Sequence, residues 1–287
     1  MGMETELEFN KVFLIQSLDG AERQTGERLV ESTLKPQLTR VGLGLAYYKV
    51  ANRVEFFAAL DDIWRQCARE TPRTYPIIHL DTHGAGDKSG IAMLPSREVV
   101  TWSEFAQKAR GINVECHNNL LIVGALCYGL LAITEINMRE PAPFLALIGP
   151  ETPVTVGEID GGFGPFYEQL LMVESLDDAM AKLSSKFGLF LADRLFARTF
   201  VSYLKQHCKG VGQQERVESL LAQFMESHAA QRITEQEARN IIEQHTQPSE
   251  AAFERFKTRF LMSDHPLNAG RFPLAFDDVL NAADRSV

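Results

Sequence analysis

His83 and Cys127 are the residues of this chain whose types and setting could do covalent chemistry. Each stands at the end of an apolar run, Ile78-His79-Leu80-Asp81-Thr82-His83-Gly84 and Leu121-Ile122-Val123-Gly124-Ala125-Leu126-Cys127-Tyr128-Gly129, and Cys127 follows His83 by 44 residues. A thiol becomes a nucleophile as its thiolate, which near neutral pH requires an adjacent base or cation. A histidine on a neighbouring strand end would supply it. Acyl transfer also needs amides facing the developing oxyanion. The backbones of Gly84 and Cys127 are placed to provide them.

The segments between these residues alternate in kind. Lys11–Leu18, Val41–Val50, Tyr75–Thr82, Asn119–Leu126 and Pro143–Gly149 read as strands, with a short one at Gly90–Leu94. Glu27–Leu38, Val54–Glu70, Thr101–Ala109 and Leu130–Met138 read as helices, the third opened by Thr101 or Ser103 as a cap. Such alternation predicts an α/β fold with a mainly parallel sheet covered by helices. Reactive groups in these sheets gather at the carboxyl ends of strands, where both residues lie. Pro153–Ile159 reads as extended and Gly161-Gly162-Phe163-Gly164-Pro165 as a turn. Helices begin at Phe166–Val173 and continue as Leu176–Phe187, Phe190–His207, Glu215–Ala230, Thr234–Gln244 and Glu250–Met262. From about Ser175 onward the chain therefore reads helical.

The two blocks together resemble the histidine–glycine and cysteine blocks of the caspase-like (clan CD) cysteine proteases, which include caspases, metacaspases, gingipains, separases and bacterial CHAT-type proteases. The caspase signature Q-A-C-[RQG]-G, with its histidine roughly 50 residues upstream, shares only the cysteine and the second glycine with Ala125-Leu126-Cys127-Tyr128-Gly129. The better fit is to a CHAT-type or divergent bacterial member. Phe144–Gly149, Thr152–Glu158, Phe166-Tyr167 and Ser175–Ala179 are similar to the tail of those domains. The resemblance covers 9–186 and implies a protease domain there with a caspase-like sheet, followed by an α-helical C-terminal region over 187–287. It also implies a cysteine endopeptidase without metal or organic cofactor, acting on a protein or peptide. It also places Asp19, Ala125 and Glu158 or Asp160 around the residue before the scissile bond. Asp19, Glu158 and Asp160 are thus specificity candidates, and acidic groups would favour a basic residue there. Only Leu130–Pro141 separates the cysteine block from the next strand, which implies control by a partner, or by the helical C-terminal region, rather than by linker cleavage.

Two further readings compete. A non-catalytic interaction protein on the same fold would use the C-terminal helices to bind a partner. A metal-dependent hydrolase would use His79, Asp81 and His83, whose H-x-D-x-H spacing puts all three on one strand face.

Composition narrows the classes. The 287 residues are 45% hydrophobic and 23% charged, with a net charge of −9, which disfavours nucleic acid as a partner. Four scattered cysteines form no zinc or disulfide pattern. Met1–Asn10 has no signal-peptide profile and no apolar run is long enough for a bilayer, so the expected setting is reducing and cytoplasmic.

Overall fold

A computed structural model describes residues 7–173, 175–226 and 233–285. The chain is α/β. Its first strand, β1 (Lys11–Gln16), is followed by a helical segment made of α1 (Thr25–Leu29), a π turn (Val30–Leu34) and α2 (Lys35–Val41). Then come β2 (Gly44–Lys49), α3 (Arg53–Cys67) and β3 (Pro76–Asp81). A small antiparallel sheet of β4 (His83–Gly84), β5 (Gly90–Ala92) and β6 (Val99–Thr101) leads into α4 (Trp102–Glu115). β7 (Leu121–Ala125), a 3₁₀ helix (Gly129–Glu135), β8 (Ala146–Pro150), α5 (Val156–Val173), α6 (Leu176–Met180) and β9 (Phe187–Leu191) complete the sheet. The helices α7 (Ala192–His207), α8 (Gly210–Met225), α9 (Glu235–Thr246), α10 (Glu250–Leu261) and α11 (Phe276–Asp284) follow.

The large sheet has the order β2-β1-β3-β7-β8-β9 and is parallel except for β9, which runs antiparallel to β8. Its strands are apolar on both faces because both are covered. Phe13, Ile15, Ile78, Leu80, Ile122 and Leu147 point to one core, built with α3, α4, α7 and α10. Val12, Leu14, Ile77, Leu121, Val123 and Ile148 point to the other, built with α1, α2 and α5. Local signals fix the helix starts. Asn52 caps α3 by accepting from the Glu55 amide, and Thr101 and Glu104 form a reciprocal capping box on α4.

Several sequence expectations need correcting. Pro153–Thr155 are non-helical, but the rest of the segment read as extended, Val156–Ile159, and the turn read at Gly161–Pro165 are the first part of α5, with Pro165 inside the helix. Thr155 and Glu158 cap its start reciprocally. Phe163, Phe166, Tyr167 and Leu170 are buried at helical spacing, and that burial outweighs the helix cost of the glycines and proline. The helix expected over Leu176–Phe187 is short and gives way to β9, so the boundary drawn after 186 falls at the start of a strand of the main sheet. The helix expected over Leu130–Met138 is a 3₁₀ helix over Gly129–Glu135, and α11 has no counterpart in the sequence reading. The expected helix Glu215–Ala230 is present from Gly210, and its last four residues lie outside the described residues. So do the first six residues of the Met1–Asn10 segment. No described helix is long and apolar enough to cross a membrane.

The C-terminal helices share a core with the sheet. Phe196 sits among Phe200, Phe253 and Phe260, with ring centroids 5.3–6.3 Å apart, in the cluster that holds Phe144 and Phe190. Asn118, just before β7, donates to the Leu261 carbonyl at 3.0 Å, and Arg271 donates to Asn119 at 2.7 Å. These helices therefore hold the amino end of β7, opposite Cys127. Removing the fully buried Phe196 ring leaves a cavity, so Phe196→Ala should cost about 3–5 kcal/mol, measured by urea denaturation.

Candidate functional site

The register of β3 against β7 decides what stands beside what. Asp81 lies opposite Ala125, so His83 and Cys127 each follow the last paired position of its strand by two residues. Past Asp81 the chain leaves the main ladder, after the Ser17 amide has bonded the Asp81 carbonyl at 3.0 Å. His83-Gly84 then pairs with β5 as the first strand of the small sheet. Past Ala125 the chain turns at Tyr128, which is left-handed (φ 63°), and enters the 3₁₀ helix.

Gly84 brings the two strand ends into contact. A Cβ built on it would overlap the Cys127 carbonyl oxygen and lie 3.3 Å from the Cys127 Cβ. No larger residue fits, so the Gly84 and Cys127 backbones pack directly against each other. The side chains are less tightly joined. The Cys127 thiol donates to the Val154 carbonyl at 3.8 Å, and no hydrogen bond joins it to His83. The His83 Nε2 is instead 3.0 Å from Oε1 of Glu22, a partner contributed by the loop after β1. His83 has 42% of its side chain exposed. Cys127 is partly exposed, whereas Cys67, Cys116 and Cys208 are buried. Burial pushes the Cys116 thiol up to about 12 and raises that of Cys67 further. Cys127 is thus the accessible thiol among the four cysteines.

The specificity candidates are engaged within the chain. The Asp19 carboxylate accepts from the Ala21 amide at 2.9 Å in a turn. Glu158 caps α5 through Thr155 and pairs with Lys186 at 3.0 Å; these bonds, the Thr155 amide first, hold its carboxyl at about 2. Asp160 pairs with Arg23 and, at 3.5 Å, with Arg28. Asp160 lines a cavity of roughly 210 Å³ between α1, α5 and the end of β3, together with Thr25, Arg28, Thr33, Asp81 and Glu168.

His79, Asp81 and His83 do not converge as metal ligands. His79 is buried, its Nδ1 3.1 Å from the Tyr167 hydroxyl and its ring edge-on to Phe163. Asp81 accepts from the Thr25 hydroxyl at 2.8 Å and from the Gly26 amide. That approach needs Gly26, because a Cβ there would lie 2.6 Å from the Asp81 Oδ2. His83 turns to Glu22. Among the described residues, no three histidine, cysteine, aspartate or glutamate side chains are grouped to hold a metal ion. The order of side chains along one strand face put these three together; the bend after Asp81 separates the third.

Glu22 is the site residue that sequence reasoning missed. Its only sequence signal is its place in the loop after β1, three residues beyond Asp19.

The two buried groups of β3 titrate in opposite senses. Desolvation pushes the Asp81 carboxyl up to about 6, against the pull of its bonds to Thr25 and Gly26, and lowers the His79 imidazole to about 3. For Asp81 the folded value exceeds the unfolded one, so its contribution to stability falls as pH rises from about 4 to 6. For His79 the folded value is lower, so stability falls as pH drops from about 6.5 to 3. The two slopes oppose each other. Asp81→Asn should therefore expose the His79 slope, with a stability loss between pH 6 and 4 steeper than in the wild type, read from urea midpoints across that window.

No protein-family model matches the chain, and no curated protein matches it significantly.

Proposed function

We propose that this protein is a cysteine-type endopeptidase of caspase-like design, with Cys127 as nucleophile and His83 as base. The observation that carries this reading is the contact of the two strand ends, level in register and packed through Gly84. In the reaction, the Cys127 thiol gives its proton to His83 and attacks the peptide carbonyl. His83 then protonates the leaving amine, and water hydrolyses the acyl-enzyme. The Gly84 and Cys127 amides face the oxyanion. The reading calls on no metal or organic cofactor, and its substrate is a protein or peptide.

Engagement of His83 requires the thiol to leave the Val154 carbonyl. Catalytic hydrogen bonds are commonly loose in a ligand-free site and tighten around substrate. The cavity beside Asp160 has room for one side chain, and its carboxylates favour a basic residue before the scissile bond. That residue would take the place of Arg23 on Asp160. The C-terminal helices, remote from Cys127, are the surface for a regulatory partner.

A fluorogenic peptide panel tests the reading. Cleavage should occur after arginine or lysine rather than aspartate, be lost in Cys127→Ala and fall at least about 100-fold in His83→Ala. It should stop on iodoacetamide treatment and persist in a chelator. Cleavage that survives Cys127→Ala would sink the proposal. A chain that cleaves no peptide would leave the non-catalytic interaction protein as the better account, which the thiol–Val154 contact favours.

A further inference from the structure

Glu22 is held more firmly than a surface carboxylate usually is. Its Oε2 accepts the Asp19 amide at 2.8 Å, while its Oε1 meets His83 Nε2 at 3.0 Å. The Glu22 amide donates back to the Asp19 carbonyl at 3.0 Å. Gln24 bonds the carbonyls of Asp19 and Glu22 at 2.8 and 3.0 Å. The next residue, Arg23, ties the same loop to Asp160 of α5. The loop over 19–24 is thus fixed by its own bonds at one side and by α5 at the other. Glu22 carries one oxygen spent on that scaffold and one aimed at the imidazole.

We propose that Glu22 is the positioning residue of His83, and that Asp19 serves to hold Glu22 rather than to select substrate. The assignment rests on the Cys127–His83 reading above. With Nε2–H donated to the carboxylate, Nδ1 is the nitrogen left to take the thiol proton. The proton moves from Sγ to Nδ1, leaving a thiolate and an imidazolium, and Glu22 stays ionised and stabilises the cation. The other charged or titratable groups around the ring are Asp81, two residues earlier and electrostatically coupled to His83, and Cys127 across Gly84. Lys88 of the β4–β5 connection lies 5.0 Å over the ring of Tyr128. Glu22 alone of these is hydrogen-bonded to the imidazole.

The test needs no substrate. Alkylation of Cys127 by iodoacetamide at pH 7, followed by peptide mapping of the full chain, reports how readily the thiolate forms. Glu22→Ala should slow it roughly 3- to 10-fold, the range expected for a half-exposed charged hydrogen bond. His83→Ala should slow it at least as much. The double variant Glu22→Ala/His83→Ala should react like His83→Ala alone, because Glu22 acts through the ring. A loop that merely collapsed without Glu22 would give additive losses instead. Glu22→Gln keeps an acceptor and the loop, and should show a smaller loss of the same non-additive kind. Additive losses, or an unchanged rate in both Glu22 variants, overturn the proposal while leaving the peptidase reading intact. An unchanged rate in His83→Ala overturns both. A non-additive cycle in a chain that cleaves no peptide supports the Glu22 assignment and removes the peptidase reading.

Discussion

Ile77 to Asp81 pair with Leu121 to Ala125 in parallel, and the geometry of the candidate site follows from that ladder. A slip of one residue would turn every side chain of one strand to the other face. Both faces are buried, so a slip of β3 would take Ile78 and Leu80 out of one core and Ile77 out of the other. Packing therefore fixes the register, and the register makes the two strands end level. Reactive residues two positions beyond each end are then neighbours whatever their chemistry. Distances at the site are inherited from a hydrophobic sandwich that contains neither of them.

The same strand carries an electrostatic burden. Asp81 and His79 are ionisable groups in a buried stretch, and desolvation disfavours the charged form of each. Both are hydrogen-bonded, to Thr25 and Gly26 on one side and Tyr167 on the other. Satisfied polar groups of this kind constrain the elements that satisfy them. α1 and α5 are both tied to β3, next to the cavity and close to where the chain bends toward His83. The polar interior here organises the approach to the candidate site, and His83 and Cys127 stand outside it, in partial contact with solvent.

Much of the architecture was legible because its signals are periodic. Runs such as Lys11-Val12-Phe13-Leu14-Ile15 and Leu121-Ile122-Val123 are short, largely apolar and carry β-branched residues, as strands buried on both faces do. Thr101 announces α4 through a local bond. The start of α5 is not legible because its glycines and Pro165 speak for a turn, while the decisive term, burial of Phe163 and Tyr167 against β3, is tertiary. β9 was absorbed into helices because its five residues gain their role only by closing on β8. At the site, the adjacency of the His83 and Cys127 blocks could be read from order and strand ends. The partners could not. Asp160 looked available until Arg23 and Arg28 were folded onto it, and Glu22 looked like one acid of a polar loop.

Gly84 carries a lesson about inheritance. Its lack of a side chain is demanded by the Cys127 backbone pressed against it, and that demand is mechanical. A descendant that gave up covalent chemistry could exchange the imidazole or the thiol at little structural cost, yet would still have to keep the glycine. Among diverged copies of this chain, persistence of Gly84 would testify only to the fold. Joint persistence of His83 and Cys127, which packing alone does not require, would testify to use.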